Sequence, residues 1–336
     1  MSLYTRSMSP ITRLPLLPRR AFLQTLGGAS LAFLQPAQAS ASRFNHSPTG
    51  PLIDTHQHLW NLHRIPWPWI SPAPGVRLPW LAGAPKRLQR SFTQRDYADA
   101  LAGFPVRALY MEVDVDPADL DLEARSLRSV CANPQSQTFA AILGGRPESP
   151  TFQSYIQNHA AHGFVKGVRR VLHSPSVPRG TCLEASFLRG IRTLGKLGLT
   201  FDLCMRPAEL GDAAKLADAC PDTQLILDHC GNGDAKAFLK NPRTAPAVPA
   251  AVWQRGIDRI AKRQNVACKI SGVVESMPEG WTTEQLAPVV NHCLDAFGPD
   301  RVVFGTNWPV CLLGASAADW IHALAEILES RPQQDR

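Results

Sequence analysis

Short apolar runs recur along this 336-residue chain, most of them followed by a stretch whose apolar residues fall at helical spacing. The runs cover residues 52–55, 106–113, 138–144, 165–171, 200–205, 224–228, 266–270 and 302–305. Each is too short for a helix, and several are nearly continuous in their apolar character, as a strand buried on both faces should be. Helical spacing covers 116–131, where Leu120, Leu122, Leu127 and Val130 mark one face, and 185–196, which carries Phe187, Leu188, Ile191 and Leu194. It returns at 208–220, 247–263, 284–297 and 315–328. Strands alternating with helices predict parallel βαβ units. Eight units in a chain of this length predict an α/β fold of the (β/α)8 TIM-barrel type, covering residues 51–336. An open doubly wound sheet is the competitor, but no GxGxxG opens a helix here. Two long connections interrupt the rhythm. Residues 60–90 are rich in Pro and Trp and follow the first strand, where a barrel builds its active face. That loop reads as a lid or substrate wall, with Trp60 as a substrate contact. Residues 231–249 form a second long loop after the sixth strand.

The N-terminus follows different rules. Arg19-Arg20 precede an apolar stretch from Ala21 to Leu34, and Ala37-Gln38-Ala39 is a small-x-small cleavage site. The stretch is shorter than the roughly 20 apolar residues a membrane span needs. Residues 1–39 are therefore expected to be a twin-arginine (Tat) signal peptide and 40–50 a linker. The mature protein is then periplasmic or secreted, in a bacterial host, with no stable membrane insertion. This segment also distorts the charge. The whole chain is +7, but the signal carries four Arg and no acid, so the remainder holds 31 basic against 28 acidic residues, a net +3. That balance, with no basic run interleaved with aromatics, gives no footprint for nucleic acid. All eight Cys lie in the mature part without a CxxC, and four fall in or just after predicted strands. They read as mostly free, buried thiols. A homo-oligomer is left open.

Candidate chemistry collects at the strand ends. In Asp54-Thr55-His56-Gln57-His58, alternation places Asp54, His56 and His58 on one face. Two imidazoles at that spacing, with His229 from the end of the sixth strand, can hold one metal and leave a position for water. Strand parity adds Arg169 and His173 after the fourth strand as substrate-binding groups, Arg169 suiting a carboxylate. Arg169 also reads as half of a structural salt bridge. Glu112 and Asp114, at the end of the second strand, each read as a base or a hydroxyl ligand, or else as caps, Glu112 of a loop and Asp114 of the next helix. Lys269 shares a face with Ser271 and either polarises a carbonyl or pairs with Glu112.

Taken together, Asp54-Thr55-His56-Gln57-His58, Leu227-Asp228-His229-Cys230-Gly231-Asn232, Cys268-Lys269-Ile270-Ser271-Gly272 and Phe304-Gly305-Thr306-Asn307-Trp308-Pro309-Val310 resemble the successive strand ends of the amidohydrolase-2 family. Within it they most resemble the sugar-lactone and pyrone-dicarboxylate lactonase branch. The resemblance covers residue 51 to about 330. It implies a distorted (β/α)8 barrel that opens a cyclic ester of a sugar acid or dicarboxylic acid, a small-molecule substrate, by water attack. His56, His58, His229, Asn307 and Glu112 become the catalytic candidates. It implies at most one divalent ion, Zn²⁺ or Mn²⁺, on His56, His58 and His229, since the fifth strand lacks the His of binuclear relatives; a metal-independent site using His and Arg is the alternative. One departure matters. The family position matching Asn307 is commonly Asp, and an amide is no general base near neutral pH. Such a base is typically worth about 10²–10⁴-fold. Asn307 thus raises a second reading, a barrel that binds ligand without turnover, beside a third, a metal-dependent decarboxylase of an aromatic acid. The chain also stops at Gln333-Gln334-Asp335-Arg336, where the family continues into a tail, so a shortened final helix is expected.

Overall fold

The computed structural model describes residues 50–65, 69–70 and 85–333. The segment expected to be a signal peptide, nearly all of the expected linker, and much of the Pro/Trp-rich loop lie outside the described residues. Eight strands form one parallel sheet in chain order: β1 (Leu52–Gln57), β2 (Val106–Met111), β3 (Thr138–Gly144), β4 (Val165–Val171), β5 (Thr200–Cys204), β6 (Leu225–Leu227), β7 (Val266–Ile270) and β8 (Val302–Phe304). The sheet curls until β8 returns to β1. There a parallel bridge joins Gln57 to Trp308, His58 N donates to Trp308 O at 2.7 Å, and Thr55 Oγ1 donates to Phe304 O at 2.6 Å. The fold is a (β/α)8 barrel, nearly closed.

Asp54 fastens this seam. Its fully buried carboxylate accepts from Thr306 N (2.8 Å), Thr306 Oγ1, Tyr97 OH (2.8 Å) and His56 N (3.0 Å). Alternation alone would have aimed it with the two histidines. The register of β1 against β2 shifts between Asp54 and Gln57, and Asp54 instead serves closure.

Eight helices cover the barrel: α1 (Gln94–Ala100), α2 (Leu120–Ala132), α3 (Phe152–Ala160), α4 (Ala185–Lys196), α5 (Leu210–Ala219), α6 (Ala250–Ala261), α7 (Thr283–Phe297) and α8 (Ala317–Glu329). Each buries the stripe its sequence draws. On α7, Leu286, Val289, Val290, Cys293, Leu294 and Phe297 face the sheet, and Thr282 with Gln285 closes a capping box at its start. A buried side chain of this size stabilises by about 1.5–3 kcal/mol. Helical spacing missed α1 and α3. The former has one buried apolar residue, Tyr97, and its clearer mark is the Thr93–Asp96 capping box. The stretches expected at 116–131 and 208–220 begin as 3-10 turns, Pro117–Asp119 and Pro207–Glu209, because a proline opens each. The final helix, expected to be shortened, runs over Ala317–Glu329 and buries Trp320, Ile321, Leu324 and Ile327. All eight Cys are free thiols, seven of them buried.

Candidate active site

The carboxyl ends of the strands converge on one mouth. From β1 comes His56, from just beyond it His58, and from just beyond β2 Glu112. Arg169 is in β4, Asp202 in β5 and Lys269 in β7. Asp228 and His229 follow β6, Ser271 follows β7, and Asn307 follows β8. Above them lies a cavity of about 400 Å³, bordered by His58, Arg169, His229 and Asn307 among others. By the volume liquid water occupies, it has room for about a dozen waters, hence for one small ring and not a polymer.

Beneath the cavity is a buried charge network. Lys269 Nζ lies 2.7 Å from Asp202 Oδ2 and 2.9 Å from Asp228 Oδ1. The Arg169 guanidinium donates to both the side chain and the carbonyl of Glu112, the latter at 2.7 Å, and its Nη1 is 3.7 Å from Asp228 Oδ2. Asp228 is held by charge, without an aligned hydrogen bond to either oxygen. Burial would raise its pKa, but Lys269 and then His56 outweigh burial and hold it well below the usual carboxylate range. Burial likewise works against the charge on Lys269, yet Asp202 and Asp228 raise its pKa. Asp202 is pushed up to about 7 by burial, despite Lys269.

The imidazoles above this floor are neutral. Burial, reinforced by Arg169, lowers His58 to about 3. Burial also lowers His229 to about 3, against Asp228, and His173 to about 4. His56 is lowered further, by burial and then Lys269. Its ring is enclosed: Nε2 is 3.2 Å from Arg169 Nη1, and Nδ1 is 3.3 Å from Lys269 Nζ. His58 Nδ1 faces the Met111 carbonyl at 3.0 Å, so that nitrogen carries the proton and Nε2 is bare. His229 lies in a left-handed turn, φ 55°, with Nδ1 2.9 Å from Ser271 Oγ. Gly272 permits this approach, since a Cβ there would come within 2.6 Å of the His229 ring. Asn307 also has positive φ, 56°, a conformation Asn and Asp tolerate better than other side chains.

Of the residues expected from sequence, His58, His229, Arg169, His173 and Asn307 border the cavity. Four assignments need correction. Trp60 is 2% exposed and packs against Phe92, its Nε1 donating to Arg90 O at 2.7 Å; among the described residues the tryptophan at the cavity is Trp69, fixed by its Nε1 to Val113 O at 2.6 Å. Glu112 is no free base, because its carboxylate is spent on Arg169 and on Asp114 N. Lys269 is one layer too deep for substrate and pairs with Asp202 and Asp228 rather than Glu112. The expected metal set also changes: among the described residues two groups of donor atoms lie within 4.8 Å of one another, the buried thiols of Cys230, Cys268 and Cys293 and, at the mouth, His56, Asp228 and His229, a set without His58.

That set does not fit a divalent ion as it stands. Two of its three members already face a lysine or arginine nitrogen. Arg169 and Lys269 balance Glu112 and Asp228, which leaves Asp202 as the one further carboxylate of the floor against the two positive charges an ion would bring. Sequence reasoning missed Asp202, Asp228 and Glu275. Parity on β5 and the position before His229 mark the first two; Glu275, in a loop, has no periodic signal.

A near-closed parallel barrel with histidines from β1 and β6 at its carboxyl mouth defines an amidohydrolase-type hydrolase. The amidohydrolase profile (Amidohydro_2) matches residues 53–336, and the chain belongs to that family. It is 27% identical over 290 residues to an L-fucono-1,5-lactonase of Burkholderia multivorans, covering 83% of this chain and 89% of the relative. It is 28% identical over 279 residues to the uncharacterized protein y4mH of Sinorhizobium fredii, covering 79% and 87%. A crystal structure of a Burkholderia multivorans amidohydrolase with bound zinc superposes with a TM-score of 0.69 at 21% identity, over 84% of this chain and 93% of that one.

Proposed function

We propose that this amidohydrolase opens a lactone of a sugar acid or dicarboxylic acid, without a metal. The observation that carries this reading is the cavity floor: a fixed guanidinium, Arg169, bordering the same cavity as neutral His58 and His229, with Lys269 buried beneath. Water attack on an ester carbonyl builds an oxyanion, and preorganised positive charge in a water-poor site is the largest single aid to that step. Arg169 stays charged throughout, its pKa raised by Glu112 and Asp228 against burial. His229 has one ring nitrogen on Ser271 and the other free to meet the substrate. Trp69, Val113, Val310 and Leu313 give the cavity an apolar wall, while Asp114, His173 and Asn232 offer hydrogen bonds. A lining that combines apolar and polar side chains suits a ring bearing hydroxyls. The lactonase name of the Burkholderia relative supports the same substrate class. A decarboxylase needs a firmly held metal, which this donor set does not favour.

The test is a panel of sugar and dicarboxylate lactones, assayed by pH indicator on protein beginning at Ser40. Ring opening that survives EDTA, with substoichiometric metal by elemental analysis, and that falls about 10²-fold or more in His229→Ala, fits the reading. Turnover abolished by EDTA and restored by Zn²⁺ or Mn²⁺ overturns the metal-free part. Binding of a lactone without any product would instead favour the reading that Asn307 motivates, ligand capture without turnover. Export rests on the twin-arginine segment alone, and we propose it on that basis; a cytoplasmic reporter signal from the intact chain would refute it.

A further inference from the structure

We propose that Glu275 is the general base, and then the general acid, of this site, doing the proton transfer that Asn307 cannot. This rests on the hydrolase reading above. Glu275 follows β7 and borders the same cavity as His58, His229 and Asn307. Its Oε1 accepts from Asn307 Nδ2 at 2.7 Å, and Oε2, although buried, has no partner. A carboxylate therefore stands one hydrogen bond from the position where the family commonly has Asp. The loop that carries it is held against the turn after β8: a Cβ on Gly314 would lie 1.8 Å from Val274 O and 3.2 Å from Glu275 N.

The hydrogen bonds around Asn307 explain why Glu275 should take a proton. His58 donates from Nδ1 to Met111 O, which leaves Nε2 bare, and Asn307 Oδ1 faces that nitrogen at 3.3 Å. Two acceptors then oppose each other. If Glu275 is protonated and the Asn307 amide turns over, Glu275 donates to Oδ1, Nδ2 donates to His58 Nε2, and each of the two contacts pairs a donor with an acceptor. Gaining a proton at Glu275 thus relieves a conflict two residues away. Burial points the same way, pushing Glu275 up to about 7; the other titratable groups acting with it are the thiols of Cys230 and Cys311.

The step balances. Glu275 takes a proton from water as the water oxygen bonds to the lactone carbonyl carbon, and the carbonyl electron pair becomes the oxyanion over Arg169. Collapse of the intermediate breaks the ring C–O bond. The departing ring oxygen takes the proton back from Glu275, giving the hydroxy acid. Asn307 is a positioning residue, orienting Glu275 and His58.

The experiment compares wild type, Glu275→Gln, Asn307→Asp and the double variant on aldono-1,5-lactones across pH 5–9, with melting curves as a fold control. Expected is a kcat loss of about 10²–10⁴-fold in Glu275→Gln with little change in KM. Wild-type activity should rise with pH through about 7, a limb the variant lacks. Asn307→Asp in that background should recover at least about tenfold, since it restores a carboxylate one hydrogen bond away. A folded Glu275→Gln that keeps wild-type kcat and pH profile overturns the assignment and leaves the lactonase reading standing. Wild type silent on every lactone instead overturns the lactonase reading, and this assignment with it.

Discussion

Lys269 is 2% exposed and is the cation between Asp202 and Asp228. Replacing it by Met keeps the volume but leaves two buried carboxylates without their cation, a change expected to cost about 3–5 kcal/mol in a urea melt at neutral pH. The pH signs differ between the two partners. Asp228, held well below its usual 3.8, contributes stability that is present above that value and lost only as pH falls through its lower folded value. Asp202, raised to about 7, works the other way, its contribution declining as pH climbs from near 4 through 7. In Lys269→Met the penalty should therefore shrink on acidification as both carboxyls protonate; a pH-independent penalty would mean that packing, not charge, is what Lys269 supplies. None of this network was legible as a network. The residues stand in β5, β7 and the turn after β6, far apart in sequence, and strand parity says only which face each takes.

At the level of elements, the connection after β1 separates two tryptophans that composition treats alike. Trp60 exchanges backbone hydrogen bonds with Phe92, at 3.1 and 2.8 Å, and its ring meets both Phe92 and Trp69. Trp69 reaches the cavity. Trp60→Ala should destabilise by about 3–5 kcal/mol, as other large-to-small core changes do. Trp69→Ala should leave stability nearly intact and raise KM by roughly tenfold, the worth of about 1–1.5 kcal/mol of aromatic contact. Thermal melts and steady-state kinetics on the pair decide it; a reversed pattern would return the substrate wall to Trp60. The sequence singled out this connection because its length and aromatic content depart from the strand–helix rhythm. Which ring faces inward depends on the Trp60–Phe92 bridge, a pairing across thirty residues.

For the whole molecule, closure rests on a seam held by few backbone bonds and by Asp54. Removing that carboxylate in Asp54→Ala strands the buried Thr306 N and His56 N, so we expect a loss of about 3–5 kcal/mol in denaturant unfolding. Activity should fall with it, since His56 and Asn307 flank the residues it ties. A variant as stable as wild type would show that the β1–β8 backbone contacts suffice.

The sequence by itself determined the succession of eight strands, six of the eight covering helices, and the placing of His56, His58, His229, Arg169 and Asn307 at strand ends. Those properties follow from local periodicity, and a parallel barrel gathers the carboxyl ends of its strands at one mouth whatever lies between them. Tertiary structure alone decided that Asp54 closes the barrel, that Lys269 lies beneath the site, that two protein cations occupy the ground a metal would need, and that Glu275 meets Asn307. Each of these is a contact between segments distant in the chain. Burial then sets its consequence, because the charge and proton a side chain carries depend on neighbours that no sequence window contains.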